Sequence, residues 1–348
     1  MCIRDAGYPP PGSGYPPPGY PWQPPMALQP GVIPLRPLSL SDIFNGAVRY
    51  IRANPKASLG LTAIVVVIAQ VIALILEIGP LAVGGELGTL AGGGEPDSAT
   101  ALIGSAVGSV IGALSQALAL LVLSGMLTVV VGRAVFGSPI SIGEAWARIR
   151  DRILPLLGLT LLEGLGLVLA IGVVALFIAG LAAATNATVT VLIGVPLGLA
   201  VLVGLVWVYT VISFAPVAIV LERRPVIESI QRSWALVRSD FWRVFGIRLL
   251  AGIVTTAVAG AIAIPFSIGQ LVAAGNQTAA AIVLGSAVGT VGAIIGQIVT
   301  TPFSAGVIVL LYTDRRIRAE AFDLVLRTGA TAGPAPAAST DHLWLTRQ

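Results

Sequence analysis

The chain has 348 residues, of which 56% are apolar and 10% charged, with 41 glycines and a formal net charge of +4. Soluble domains carry about 25% charged residues, so this composition, with a mean hydropathy of +0.93, excludes an ordinary soluble fold and points to the membrane. A single cysteine, Cys2, excludes an internal disulfide or a multi-thiolate zinc site; a single histidine, His342, leaves paired-histidine metal sites and Ser-His-Asp triads without their imidazole. No cofactor or metal is expected.

Residues 1–31 are a Pro/Tyr/Gly-rich tail in which Tyr8-Pro9-Pro10-Pro11-Gly12 recurs as Tyr15-Pro16-Pro17-Pro18-Gly19. Such sequence cannot bury a core and is expected to be disordered or polyproline II, either as a flexible tail or as a ligand for a proline-recognising partner. It offers no apolar core of a signal peptide, so the first span is expected to serve as an uncleaved insertion signal.

Six stretches free of basic residues are long enough to cross about 30 Å of hydrocarbon: 57–83, 101–131, 153–183, 188–221, 249–274 and 279–312. This predicts an all-α integral membrane domain over 32–326, in which the stretches longer than 30 residues imply tilt, kinks near Pro196, Pro216, Pro265 and Pro302, or projection beyond the bilayer. All 20 Lys and Arg residues fall outside these stretches and on alternate connections. The positive-inside rule then places both termini in the cytoplasm. The basic residues are divided among membrane flanks, which reads as topology and lipid contact and not as nucleic-acid binding.

Internal repetition is the strongest signal. Val48-x-x-Ile51-Arg52, Trp146-x-x-Ile149-Arg150 and Trp234-x-x-Val237-Arg238 each precede a span, and each Arg is followed eight residues later by a glycine (Gly60, Gly158, Gly246). In the even spans, Gly104-Ser105-Ala106-Val107-Gly108 with Gln116 recurs as Gly285-Ser286-Ala287-Val288-Gly289 with Gln297, and the same register reaches Arg133, Arg223 and Asp314. The pattern predicts three repeats, about 39–135, 139–224 and 225–318, each an elbow helix followed by a helical hairpin.

The elbows are amphipathic. Ser141-x-x-Glu144 reads as a capping box, and Ile142, Trp146, Ile149 and Ile153 recur on one face, as do Val226, Ile230, Trp234, Val237 and Phe241 in the third elbow. Their expected place is the bilayer interface, with Arg52, Trp146, Arg150, Trp234 and Arg238 as interfacial residues; a docking surface for a cytoplasmic partner is the alternative. Within the spans, Gln70, Gln116, Glu163 and Gln297 are the candidate polar residues, because an unsatisfied polar group in lipid costs several kcal/mol. Glu163 is either a structural acid or a proton or cation carrier. Gln116 and Gln297 either hydrogen-bond across the bundle or touch a substrate. The segment 314–324 is expected to be a charged cytoplasmic helix, and residues 327–348 a disordered tail.

Phosphate-loop, nucleophile-elbow and dinucleotide motifs are missing from the sequence. The run Pro34-Leu35-Arg36-Pro37-Leu38-Ser39-Leu40-Ser41-Asp42-Ile43-Phe44 through Asn54-Pro55, with Arg223-Arg224-Pro225 and Ser233-Trp234 later, resembles the glycerophosphoryl diester phosphodiesterase membrane domain family. In that family the multi-span domain can be joined to a soluble phosphodiesterase domain, and many members stand alone. This chain has neither that domain nor paired histidines, so the resemblance implies architecture and a loose link to membrane lipid, with no catalytic residue carried over. The expected function is a non-catalytic inner-membrane scaffold or accessory subunit with the lipid bilayer and a membrane or cytoplasmic protein as partners. A transporter or lipid carrier is the alternative. The sequence leaves the oligomeric state open.

Overall fold

A computed structural model describes residues 31–34, 36–83, 99–274, 278–322, 324 and 341–345. The N-terminal repeats of residues 1–30, the connection at 84–98 and most of the C-terminal tail lie outside the described residues. The described part is helical with no strand, and six of its helices are long and apolar enough to cross a membrane. It is a multi-span membrane protein.

The order short helix, long helix, long helix occurs three times. Helix α1 (Leu40–Ala53) leads through a π-turn (Lys56–Gly60) into α2 (Leu61–Val83), followed by α3 (Ala99–Val135). Helix α4 (Ile142–Ile149) and a 3-10 turn (Arg150–Arg152) lead into α5 (Ile153–Ala184) and α6 (Ala187–Ile212), which continues as α7 (Ala215–Leu221). Helix α8 (Val226–Arg238) leads into α9 (Phe241–Ala274) and α10 (Ala279–Glu320), and a 3-10 turn (Asp341–Trp344) closes the described chain. The helices run past the predicted spans at the end where the basic residues gather, here called the basic end. Arg243 and Arg248, placed by sequence before the fifth span, lie inside α9, and Arg315 and Arg316 lie inside α10.

Local sequence accounts for the boundaries. Ser39 caps α1 by accepting from Asp42 N–H while Asp42 accepts from Ser39 N–H at 2.9 Å, and Ser141 and Glu144 make the same reciprocal box at α4. Asn54-Pro55 stops α1. Asn186 caps α6, so α5 and α6 are joined by Thr185 and Asn186 alone. Pro216 removes the N–H that would continue α6, and the helix breaks at Ser213-Phe214. Pro196, Pro265 and Pro302 stay inside continuous helices.

Helix α10 is the spine. At 42 residues it is about 63 Å long, twice the hydrocarbon thickness, and it packs along α9 and against α1, α2 and α3. From Val309 to Ile317 its residues are buried without a break. Tyr50 of α1 is fully buried and its hydroxyl donates to Pro302 O of α10. The two helices approach so closely there that a Cβ on Gly306 would lie 2.5 Å from the Tyr50 ring.

The three elbows pack against the long helices. Their apolar stripes face the protein: Ile43, Ala47 and Tyr50 of α1, Ala145 and Ile149 of α4, and Leu236 and Val237 of α8 are buried in the core. Trp146 and Trp234, expected on that stripe, sit at its edge and are 46% and 42% exposed. In α8 Ser229 and Ser233 are buried beside Leu236 and Val237. Ser233 bridges the break in the sixth helix by donating to Val211 O and accepting from Phe214 N–H at 3.1 Å.

The second hairpin stands apart. Helix α5 buries only Leu156 and Leu159, and α6 only Gly194, Thr210 and Val211. Beyond the basic end these two helices pack chiefly on each other, with Ile178 against Gly194.

Candidate functional site

The chemistry-bearing residues concentrate at the basic end, where α10 meets α7, α8, α9 and the segment entering α1. Sequence read 314–324 as a charged cytoplasmic helix, with no sign that its first residues are interior. The segment is helical to Glu320, and Asp314, Arg315 and Arg316 are 0%, 3% and 3% exposed. Burial of charge is tolerable only when it is paired and hydrogen-bonded, and each of these residues has found its partners.

Two carboxylates organise the cluster. Glu222, with its side chain 0% exposed, pairs with Arg224 at 2.8 Å, Arg232 at 3.2 Å and Arg316 at 3.5 Å, and it accepts from the Tyr312 hydroxyl. Asp314 accepts from Leu38 N–H at 2.8 Å and pairs with Arg243 at 3.3 Å and Arg318 at 2.9 Å. Both arginines also donate to Leu38 O, at 2.7 and 3.1 Å, so the Leu38 peptide is held at both polar atoms. Arg315 joins α8 to α10 by donating to Leu236 O at 3.1 Å, Ser239 at 2.7 Å and Asp240. Burial disfavours the charge of Arg232, but the hydrogen bond to Glu320 and the fields of Glu222 and Glu320 outweigh it and hold its pKa above the ordinary value. With every acid matched by arginine, the arrangement is a hydrogen-bonded lock between helices.

The C-terminal residues join the lock. Trp344, expected in a disordered tail, is 3% exposed and packs on Phe136 and Phe322. Its carbonyl accepts from Arg316 at 3.1 Å, and the Arg316 guanidinium lies 4.1 Å from the centre of the Phe322 ring. The physical reason is that the Phe136–Phe322–Arg316 surface offers an apolar wall and a cation, both of which an indole and its peptide can satisfy.

The residues singled out in the sequence are distributed over three places. Gln116 of α3 donates to Gln297 of α10 at 3.3 Å, while Gln116 Oε1 is buried without a hydrogen-bond partner. Gln70 is half-buried in α2 and takes no part in that hydrogen bond. Glu163 is half-buried in α5 and attracts Arg248 of α9, although the two form no ion pair. Arg248 donates to Tyr209 O at 3.0 Å and lies 4.5 Å from the centre of the Tyr209 ring. The elbow residues do not converge: Arg52, Arg150 and Arg238 are exposed, Arg150 pairs with the exposed Asp151 at 3.6 Å, and Trp234 stacks edge-to-face on Trp207.

Sequence reading missed Glu222, Tyr312, Ser233 and Arg248. One signal was available: counting 29 residues from Gly104, Gly194 and Gly285 ends on Arg133 and Arg223 in two repeats but on Asp314 in the third, an inversion of charge at a matched position. Among the described residues no three His, Cys, Asp or Glu side chains come together as a metal site. No curated protein and no solved structure matches the chain, and nothing found links it to the glycerophosphoryl diester phosphodiesterase membrane domain. Residues 38–315 match the family described as a domain of unknown function (DUF7847), and with most of its length inside that match the chain belongs to this family.

Proposed function

We propose that the protein is a non-catalytic scaffold or accessory subunit of a bacterial inner membrane, with the basic end and both termini on the cytoplasmic side. The observation that carries this reading is the second hairpin, held at its base by the charge lock and otherwise separate from its own bundle. Leu176 and Leu192 near its far end are 76% and 72% exposed. Between bilayer helices there is no hydrophobic drive to associate, so partners are chosen by close packing at small residues. Gly164, Gly172, Gly180 and Gly198 supply such positions, since a Cβ at any of them would meet nothing within 4 Å. A partner helix against α5 and α6 would fill those notches. The ion-paired acids of the basic end support a structural role over a catalytic one.

Photo-crosslinking residues placed at Leu176 and Leu192, with Leu271 of α9 as comparison, test the reading in cells. The expected result is a protein adduct of one discrete mass at both hairpin positions and none at Leu271. Lipid adducts alone at all three positions would overturn it. A lipid carrier is the second reading, favoured by the groove between α6 and α9 in which Arg248 stands.

A further inference from the structure

Between α6, α9 and α10 lies a groove of about 760 Å³, lined mainly by apolar side chains such as Val206, Ile253 and Val307, with Arg248 as its one charged wall residue. Arg248 is seven residues inside α9, roughly 10 Å along the axis. Trp242, 79% exposed, and Phe245 precede it on the same helix, as aromatic residues do at the headgroup level of a spanning helix. A guanidinium carries five N–H donors. Here one nitrogen, Nη1, donates to Tyr209 O, and the Tyr209 ring supports the plane; Nε and Nη2 have no hydrogen-bond partner among the described residues. Bare donors at this depth are costly, and Glu163 does not come within ion-pair distance to meet them.

We propose that this groove is a phospholipid site, in which the lipid phosphate is bound by the free fork of Arg248 and an acyl chain lies along α9 over Gly252. The guanidinium fork matches a phosphate through two parallel hydrogen bonds, which a neutral lipid cannot offer. Gly252 follows Arg248 by one helical turn and also lines the groove, and a Cβ there would meet nothing within 4 Å. The backbone of α9 is therefore open where the chain would pass. The inference goes beyond the scaffold reading and does not rest on it, because it concerns a different face of the second hairpin's base.

The test is lipid retention by the full chain, measured by native mass spectrometry after equilibration with phosphatidylglycerol, phosphatidylethanolamine or diacylglycerol of the same acyl composition. The parent is expected to retain one phospholipid at least tenfold more tightly than diacylglycerol, and excess inorganic phosphate should not displace it. Arg248→Met should remove the tenfold preference. Gly252→Leu, which fills the groove and leaves Arg248 in place, should reduce retention of all three lipids while the thermal unfolding midpoint stays within a few degrees of the parent. Equal retention of phospholipid and diacylglycerol by the parent, displacement by inorganic phosphate, or undiminished retention in Gly252→Leu would each overturn the proposal. Should Arg248→Met fail to fold, Gly252→Leu and the diacylglycerol comparison decide it.

Discussion

Replacing Glu222 with glutamine removes one charge and almost no volume, which makes it the sharpest probe of the basic-end lock. The side chain is 0% exposed and faces Arg224, Arg232 and Arg316, of which Arg316 is itself only 4% exposed at its side chain. Removing one partner of a buried pair leaves an uncompensated charge and costs about 3 to 5 kcal/mol, whereas an exposed pair contributes about 0 to 1 kcal/mol. Arg316 keeps Glu320 at 3.1 Å, and Arg224 is 29% exposed and can turn to water, so the lower half of the range applies, about 3 kcal/mol. Exposed Asp151, paired with Arg150 at 3.6 Å, is the internal comparison, and Asp151→Asn should change stability by less than about 1 kcal/mol. The assay is equilibrium unfolding in mixed micelles by titration with a denaturing detergent, followed by tryptophan fluorescence. A Glu222→Gln loss below about 1 kcal/mol, equal to that of Asp151→Asn, would refute the reasoning and mean that water reaches the cluster. A Glu222→Gln, Arg316→Met double-mutant cycle then isolates the pair, since residues in one network are non-additive.

Four other outcomes follow from local geometry. Gly306→Ala sets a methyl 2.5 Å from the rigid Tyr50 ring and should lower stability by about 1 to 3 kcal/mol in the same titration. Ala321 ends α10 with φ 50°, a left-handed conformation that costs a non-glycine residue about 1 kcal/mol, so Ala321→Gly should raise stability by about that amount. Ser233→Ala removes the hydroxyl that serves both Val211 O and Phe214 N–H; with two buried backbone groups left unmet, a loss of about 2 to 4 kcal/mol is expected. Burial favours the neutral form of Asp42, but its hydrogen bonds from Ser39 and the nearby Arg36 and Arg49 outweigh this and hold its carboxyl below the ordinary value of 3.8. A depressed carboxylate stabilises the fold above its unfolded pKa and loses that contribution as pH falls through its folded value. Asp42→Asn should therefore flatten the acid limb of the stability curve below about pH 4 and leave the neutral region slightly lowered.

The spans were legible because bilayer crossing imposes a length and a composition that no other element of this chain satisfies. The capping boxes of α1 and α4 were legible for a local reason: both partners lie within four residues of sequence, as Ser39 with Asp42 and Ser141 with Glu144. The gapless Gly-to-Gln register located the two residues that meet across the bundle, Gln116 and Gln297. What could not be read was the charge pairing made over distance. Charges at 314–316 follow an apolar run and look solvated in one dimension; only Glu222 and Tyr312, 90 residues apart, and Asp240 and Arg315, 75 residues apart, reveal that they are interior. The elbow stripe was misplaced by one position for a related reason. Hydropathy ranks tryptophan above serine, but Ser229 and Ser233 are buried where Trp234 is not, and Ser233 has the hydroxyl that Val211 O and Phe214 N–H require.

These pairings divide the molecule into two regimes. At the basic end, Leu38, Glu222, Arg232, Asp240, Arg243 and the last turns of α10 form one connected set of ion pairs and hydrogen bonds. Such bonds are satisfied at one relative placement of the helices and not at neighbouring ones, which fixes the base of each hairpin. Farther along, α9 and α10 continue to pack on each other, whereas α5 and α6 leave the bundle. The direction in which the second hairpin leaves is set at the Ser213-Phe214 break, and Ser233 is the side chain that holds both edges of that break. The same break lies beside Tyr209 and Thr210, which line the Arg248 groove. Helix direction and groove width thus meet at one joint, so the proposed lipid in the groove and the proposed partner on α5 and α6 would act on the same geometric variable. Occupancy of either should alter the affinity of the other by an equal factor.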